Sequence, residues 1–300
     1  MKAVTVYQVD AFTNQKFKGN PAGVVLQADG LTGPEMLDIA KELNNSETAF
    51  VFSPVAGDHD VWLRFFTPAI EVPICGHATI AAHYARAVEN HLGSCTIIHK
   101  TGAGILPVKI EKQGEDIRVT MTQGEISIEP PLEKNICQKI LTALSLDQND
   151  LNPACPIRIV STGHSKVIIG IGSKGKLNGL KPDFNMLATL SREIKSNGYF
   201  VFTFDSDRPD ILTHARMFAP AIGINEDPVT GNGNGPLGAY LVHHGLVDHD
   251  NRLFCFKGQQ GDAMGRPGII SVEVDIENKR PVRTRVGGQA VMVFKTTIMV

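Results

Sequence analysis

The sequence has no excess of charge of either sign. Its 29 Lys and Arg against 31 Asp and Glu give a formal net charge of −2, which removes any electrostatic case for nucleic acid or an anionic membrane as partner. No apolar run is long enough to span a bilayer. The opening "MKAVTVYQVDAF" alternates like a strand and lacks the continuous apolar core of a signal peptide. The five cysteines (75, 95, 137, 155 and 255) are odd in number and include no CxxC pair. That excludes a disulfide framework and leads us to expect free thiols in a reducing cytoplasm. No His, Cys and carboxylate cluster stands at zinc spacing, and the adjacent His243 and His244 cannot face one ligand from a helix, so no metal is expected. Low-complexity segments are also missing.

What is present is the composition of a globular protein, 42% hydrophobic and 20% charged over 300 residues, a length that favours two domains. "VTVYQVDAF" and "SETAFVF" read as strands, and "GNPAGVVL" as a turn followed by one. "TGPEMLDIAKELNN" carries the plainest helix start. Thr32 is a candidate N-cap, Glu35 completes a capping box, Pro34 lies in the first turn, and Asn44 or Asn45 suits the left-handed end. Residues 105 to 122 read as a hairpin turning at Gly114.

An internal echo organises the whole chain. Arg64, Phe66, Pro68, Ala69 and Ile70 match Arg216, Phe218, Pro220, Ala221 and Ile222 at one constant offset. After an insertion of Gly223, Ile224 and Asn225, the match resumes with Glu71, Pro73 and Gly76 against Glu226, Pro228 and Gly231. A fainter echo pairs "GNPAGVVL" with "TGHSKVII". Two copies are too few for a solenoid, so a pseudo-twofold pair of domains is expected.

Each copy runs strand, Pro-x-x-Gly turn, helix. "ATIAAHYARAVENHLG" and "PLGAYLV" are apolar on most faces, which marks buried central helices, expected to begin near His77 and Gly235, with Gly93 ending the first. In "EDPVTGNGNGPLGAYLVHH", from Glu226, glycines alternate with polar residues just before the second helix. No Lys-Ser or Lys-Thr follows, which excludes a Walker A loop, and the spacing is not that of the dinucleotide fingerprint. A Gly-rich turn entering a helix can instead hold a carboxylate or a developing oxyanion against unpaired backbone N–H groups. Two such helix starts are expected to converge on one cleft.

"NNSETAFVF", "FFTPAIEVPICGHAT" and "EDPVTGNGNGPLG" resemble the signatures of the PhzF-like isomerases of phenazine biosynthesis, within the diaminopimelate epimerase superfamily. The resemblance covers essentially the whole chain. It implies an α+β fold of two pseudo-symmetric domains, each a curved, mostly antiparallel, barrel-like sheet around a central helix. Residues 1–120 with 286–300 would form one domain and 121–285 the other, and the protein would be a homodimer. It further implies cofactor-free proton transfer on a small carboxylic-acid substrate between the domains. The family's acid/base glutamate falls on Glu47, its histidine on His77 and its aspartate on Asp227, while a serine common in the family falls on Asn232.

Each candidate has a plainer role to compete with. Glu47, where a loop enters a strand, would ordinarily be a solvated carboxylate; beside apolar "TAFVF" it would be desolvated, as proton-transfer carboxyls are. His77 could merely support the helix start, and Asp227 could cap one. Cys75 could be a packing cysteine. The superfamily's epimerases face two cysteines across the substrate, but the repeat sets Thr230 opposite Cys75, and threonine is no thiolate base. A Cys/Thr pair resembles hydroxyproline dehydratases, the alternative enzyme. Cys75, Gly76, Thr230, Gly231, Asn232 and Gly233 are the expected substrate contacts. The non-enzyme alternative is a small-acid binding protein that has lost catalysis, which would need the glycine turns but not Glu47.

Overall fold

The computed structural model describes Met1–Val300, a mixed α+β chain of seventeen strands and six α-helices. It divides into two compact units, Met1–Thr122 with Gly287–Val300, and Gln123–Val286. No helix is long and apolar enough to cross a membrane.

The first unit runs β1 (Ala3–Ala11), β2 (Asn20–Val25), α1 (Gly33–Leu43), β3 (Thr48–Phe52), β4 (Val61–Phe66) and β5 (Glu71–Val72). It continues with α2 (Gly76–Glu89), β6 (Cys95–Thr101), β7 (Gly104–Gln113) and β8 (Asp116–Thr122). The second runs β9 (Ser127–Pro131), α3 (Lys134–Ala143), β10 (Arg158–Ser161), β11 (Lys166–Ile171), α4 (Lys174–Asn178), α5 (Phe184–Glu193) and β12 (Tyr199–Thr203). There follow β13 (Thr213–Ala219), β14 (Ile224–Asp227), α6 (Gly231–His243), β15 (Leu253–Gln260), β16 (Gly268–Glu277) and the long β17 (Arg280–Met299).

Local chemistry accounts for the edges of these elements. Thr32 caps α1, its backbone N–H donates to Glu35 Oε2 at 2.7 Å, and Asn44 closes the helix in the left-handed region at φ 49°. Gly114, at φ 60°, turns the β7–β8 hairpin, in which Gln113 faces Asp116. Met36, Ile39 and Ala40 sink the inner face of α1 against Phe50 and Phe66.

In the first unit β1 pairs β2, β2 runs parallel to β3, β3 pairs β4, β4 runs parallel to β6, and β6, β7 and β8 form a meander. The end of the chain completes the ring, because β17 pairs both β8 and β1. The result is a closed, barrel-like sheet of eight strands. The second unit repeats the pairing scheme: β10 with β11, β11 parallel to β12, β12 with β13, β13 parallel to β15, β15 with β16.

The residues of the sequence echo serve the same local purpose in each unit. Arg64 forks onto Glu71 with both bonds at 2.7 Å and lies 5.2 Å over the Phe66 ring. Arg216 forks onto Glu226 with both bonds at 2.8 Å and lies 5.0 Å over Phe218. A bidentate guanidinium–carboxylate pair fixes the distance between a strand and the short strand after it, and so sets where each central helix begins.

Both central helices are buried nearly all round, ten of 14 residues in α2 and eleven of 13 in α6. α2 begins at Gly76, next to the expected His77, whereas α6 begins at Gly231 rather than near Gly235. The "GNGNG" stretch is therefore the first turns of the helix and not a loop before it. Two of its glycines, Gly233 and Gly235, are demanded by packing inside the unit. A Cβ on Gly233 would stand 2.3 Å from the Phe200 ring, and one on Gly235 would stand 1.6 Å from Gln123 Oε1. Helix propensity disfavours this stretch, and tertiary contact overrides it. At its other end α2 stops at Glu89, with Asn90 as C-cap, ahead of Gly93.

Gly235→Ala should accordingly lower stability by about 1–3 kcal/mol, the usual cost of overpacking a core, whereas Gly93→Ala, with nothing near its Cβ position, should be close to neutral. Denaturant midpoints of the two variants test this, and an unchanged midpoint for Gly235→Ala would show that Gln123 can move aside.

Candidate active site

The start of α2 gathers titratable groups from two segments. Glu47 sits just before β3, and Cys75 and His77 are the N-cap and second residue of α2. His77 Nε2 lies 3.4 Å from Glu47 Oε2 and 3.2 Å from Ser46 Oγ, and its Nδ1 lies 3.4 Å from Cys75 Sγ. The Glu47–His77 distance suits an ion pair, yet Glu47 Oε2 is buried without an aligned hydrogen bond. The carboxylate oxygen is thus close to the imidazole without being hydrogen-bonded to it. Side-chain exposure is 13% for Glu47 and 7% for His77, low enough to strengthen electrostatics without sealing the site. No side chain caps α2, so the outward N–H groups of its first turn remain available to an anion.

These positions bring together residues whose sequence spacing held no sign of a metal-ligating set. The donor atoms of Glu47, Cys75 and His77 all lie within 4.8 Å of one another. Their separation along the chain hid this, since a strand start and a helix start meet only through the β2–β3–β4 pairing.

The start of α6 is built differently. Thr230 occupies the cap position that Cys75 holds in α2, but its hydroxyl donates to Asp227 Oδ2 in a short hydrogen bond and does not cap the helix. Gln260 ties this corner together: its Nε2 donates to Asp227 O at 2.7 Å and to Thr230 Oγ1 at 3.1 Å, and its Oε1 accepts from Thr230 N at 3.1 Å. Asn234 Nδ2 adds bonds to Thr230 O and Gln260 Oε1. Asn232 has a partner of its own, since its Oδ1 accepts from Gln123 Nε2 at 3.2 Å, and the same nitrogen donates to Gly231 O at 3.0 Å. Asp227, Thr230, Gly231, Asn232 and Gly233 thus share one corner of the second unit, while Glu47, Cys75, Gly76 and His77 share one corner of the first.

Lys166 is a functional candidate that the sequence reading passed over. It opens β11, is 2% exposed, and donates to Ser165 O at 3.1 Å. Burial lowers its pKa from 10.5 to about 8, partly offset by the negative charge of Asp227. A buried ammonium near a buried carboxylate costs stability, and such groups concentrate at functional sites. In "HSKVII" the lysine looks like a solvated strand end, and only the fold shows that it is enclosed.

A hollow of about 590 Å³ in the first unit opens elsewhere, beside the C-terminal end of α2, and includes Asp60, Arg86, Glu89 and Lys295. Its acids are already occupied: Glu89 by Lys295 at 2.5 Å and by Tyr7, Asp60 by Ile98 N.

A barrel-like sheet around a buried helix, with Glu, His and Cys at the helix start, defines an epimerase-like isomerase fold. The sequence matches the family described as phenazine biosynthesis-like protein, PhzC-PhzF, over residues 9–296, and the chain belongs to that family. It is 56% identical to an uncharacterized isomerase of Clostridium acetobutylicum, covering 100% of this chain and 99% of that one. To the uncharacterized isomerase YddE of Escherichia coli it is 48% identical over 96% of each chain. To trans-2,3-dihydro-3-hydroxyanthranilate isomerase of Pseudomonas chlororaphis it is 28% identical, covering 97% and 98%. The crystal structure of a Bacillus anthracis phenazine biosynthesis protein of the PhzF family superposes with a TM-score of 0.90 at 30% identity over all of both chains. The protein is an isomerase of this family.

The Lys166 environment generates a pH signature. The folded state holds this proton less tightly than the unfolded chain, so the burial cost is present in full below pH 8 and is relieved as pH rises towards 10.5. Lys166→Met should therefore be more stable than the parent at pH 7, by up to about 3 kcal/mol, with the gap closing in alkali. Denaturation curves at pH 7 and pH 10 measure both values; a gap that is absent or independent of pH would show the lysine to be solvated.

Proposed function

We propose that this isomerase catalyses a cofactor-independent hydrogen shift on a small carboxylic acid, with Glu47 removing the proton and returning it at a second position. The observation that carries the reading is the uncommitted, buried Glu47 Oε2 beside His77 at an uncapped helix start. A carbon acid activated by a carboxyl or unsaturated group gives up its proton to this oxygen. The electron pair left behind delocalises into the activating group, and the first N–H groups of α2 stabilise that charge. When the protonated Glu47 redelivers its proton elsewhere, the double bond has moved and no electrons have been gained or lost. His77 orients the carboxyl, and Ser46 and Cys75 restrict the tilt of the ring.

Within the second unit Asp227 is held by Thr230 and Gln260, with Lys166 as a buried positive charge nearby. A relative whose name specifies a hydroxyanthranilate, itself a carboxylic acid, supports the substrate class. A cytoplasmic location is proposed from the cysteine pattern of the sequence, and a homodimer from the family resemblance.

The test is deuterium incorporation from heavy water into a panel of small cyclic and amino carboxylic acids. Glu47→Gln keeps the shape of the side chain but cannot take a proton, and should bind the acid with similar affinity while losing roughly 100- to 10,000-fold in rate. Near-normal exchange by this variant would move the base elsewhere.

Cys75→Ser separates the neighbouring chemistry. With Glu47 as the base, this variant should keep turnover within about tenfold of the parent, well inside the cost of losing a general base. A loss as large as that expected for Glu47→Gln would instead favour the thiol-dependent, dehydratase-like route.

A further inference from the structure

We infer that Glu47, Cys75 and His77 form a three-donor site for a thiophilic divalent cation of the zinc class, and that filling it shuts the proton-transfer site. The metal half of this inference stands on geometry alone; the inhibitory half rests on Glu47 being the base.

The distances are those of a site nearly assembled. His77 Nε2 is 3.4 Å from Glu47 Oε2 and 4.0 Å from Cys75 Sγ, and all the donors lie within 4.8 Å. A tetrahedral zinc ion with bonds of about 2.0–2.3 Å holds its ligands roughly 3.3–3.7 Å apart. Nε2 faces Glu47 while Cys75 Sγ lies nearer Nδ1, at 3.4 Å, so side-chain rotations of Cys75 and of the ring bring one nitrogen, the sulfur and the carboxylate onto a common ion. Glu47 Oε2 is buried and lacks a hydrogen bond, so a cation would satisfy it in exchange for the His77 contacts to Glu47 and Ser46 at 3.4 and 3.2 Å.

Charge supports the same class of ion. A thiolate, a carboxylate and a neutral imidazole carry two negative charges, so a divalent cation leaves the enclosed cluster neutral, the condition under which charges tolerate burial. The sulfur selects zinc or cadmium over magnesium or calcium, which prefer oxygen ligands. Three protein ligands leave a fourth position open to water or to an acid, as in catalytic rather than structural zinc sites. Binding exchanges the Cys75 thiol proton for a sulfur–metal bond, and that proton is released to the buffer. A metal-bound Glu47 oxygen has no lone pair free for a substrate proton, so occupancy and turnover exclude one another.

The experiment is a titration of the reduced, metal-free full-length protein with Cd²⁺ and Zn²⁺. It follows the ultraviolet thiolate-to-cadmium charge-transfer band and proton release. We expect one equivalent to bind and magnesium not to compete. Cys75→Ser should abolish the band, and Glu47→Gln and His77→Asn should each weaken binding at least about tenfold. A band that persists in Cys75→Ser, with Cys95, Cys137, Cys155 and Cys255 all present, would overturn the site, as would no binding at all. Should Cys75→Ser fail to fold by circular dichroism, Glu47→Gln decides through the same titration. Deuterium exchange with and without one equivalent of Zn²⁺ separates the two claims. Metal binding with undiminished exchange would overturn the inhibition and the role of Glu47 as base while the donor site stands. A Glu47→Gln protein that is inactive, in an enzyme that binds no metal, would overturn the site and leave the isomerase reading intact.

Discussion

A helix enclosed by a sheet has no free flank, and this constraint governs both units. Their central helices bury ten of 14 and eleven of 13 residues, so neither can present chemistry along its length. Enclosure selects alanine and glycine, because larger side chains would push the strands outward; Gly238, for example, brings Val272 and Val274 to 2.8 and 2.9 Å from where its Cβ would stand. The only polar surface left is at the ends. At the N-terminal end unsatisfied N–H groups and the helix dipole favour negative charge. The placement of reactive groups at Cys75 to His77 follows from burial before any selection for catalysis.

Corresponding positions in the two units carry opposite kinds of chemistry. In the first, Glu47, Cys75 and His77 touch at 3.4 Å or more, loosely paired and all titratable. In the second, Asp227, Thr230, Gln260 and Asn234 form a connected hydrogen-bond network, with Asn234 Oδ1 left over as a buried acceptor. One corner is held loosely and the other is tied by several hydrogen bonds; groups that move a proton gain from loose commitment, and groups that orient a ligand gain from fixed rotamers.

What could be read in advance separates along the same physical line. The capping box from Thr32 to Glu35, the turn at Gly114 and the echo of Arg64, Phe66 and Glu71 in Arg216, Phe218 and Glu226 are local, and residue order alone exposes them. The family resemblance pointed to Glu47, His77 and Asp227, but composition and spacing alone would have left each with a plainer role. Lys166, Gln123 and Gln260 were missed because their importance lies in what encloses them. A lysine beside serine reads as solvated, and a glutamine reads as neutral filler, until Gln123 is found accepting from both Thr162 and Thr284. The start of α6 was misplaced by several residues for the same reason. Asn and Gly argue against a helix, and only the ring of Phe200 against Gly233 explains why they are there.

The last strand, β17, begins in one unit and finishes in the other, and it pairs the end of the chain with its beginning, Ala3 opposite Met299. The second unit is one uninterrupted stretch of chain, whereas the first is split between the two termini. The barrel of the first unit cannot close until Gly287–Val300 joins it, because β17 pairs with both β1 and β8. Closing a loop of nearly the whole chain is slow by contact order, and open strand edges invite wrong partners. Glu47, Cys75 and His77 belong to the split unit, so the barrel that carries them closes only through contacts between segments far apart in the chain.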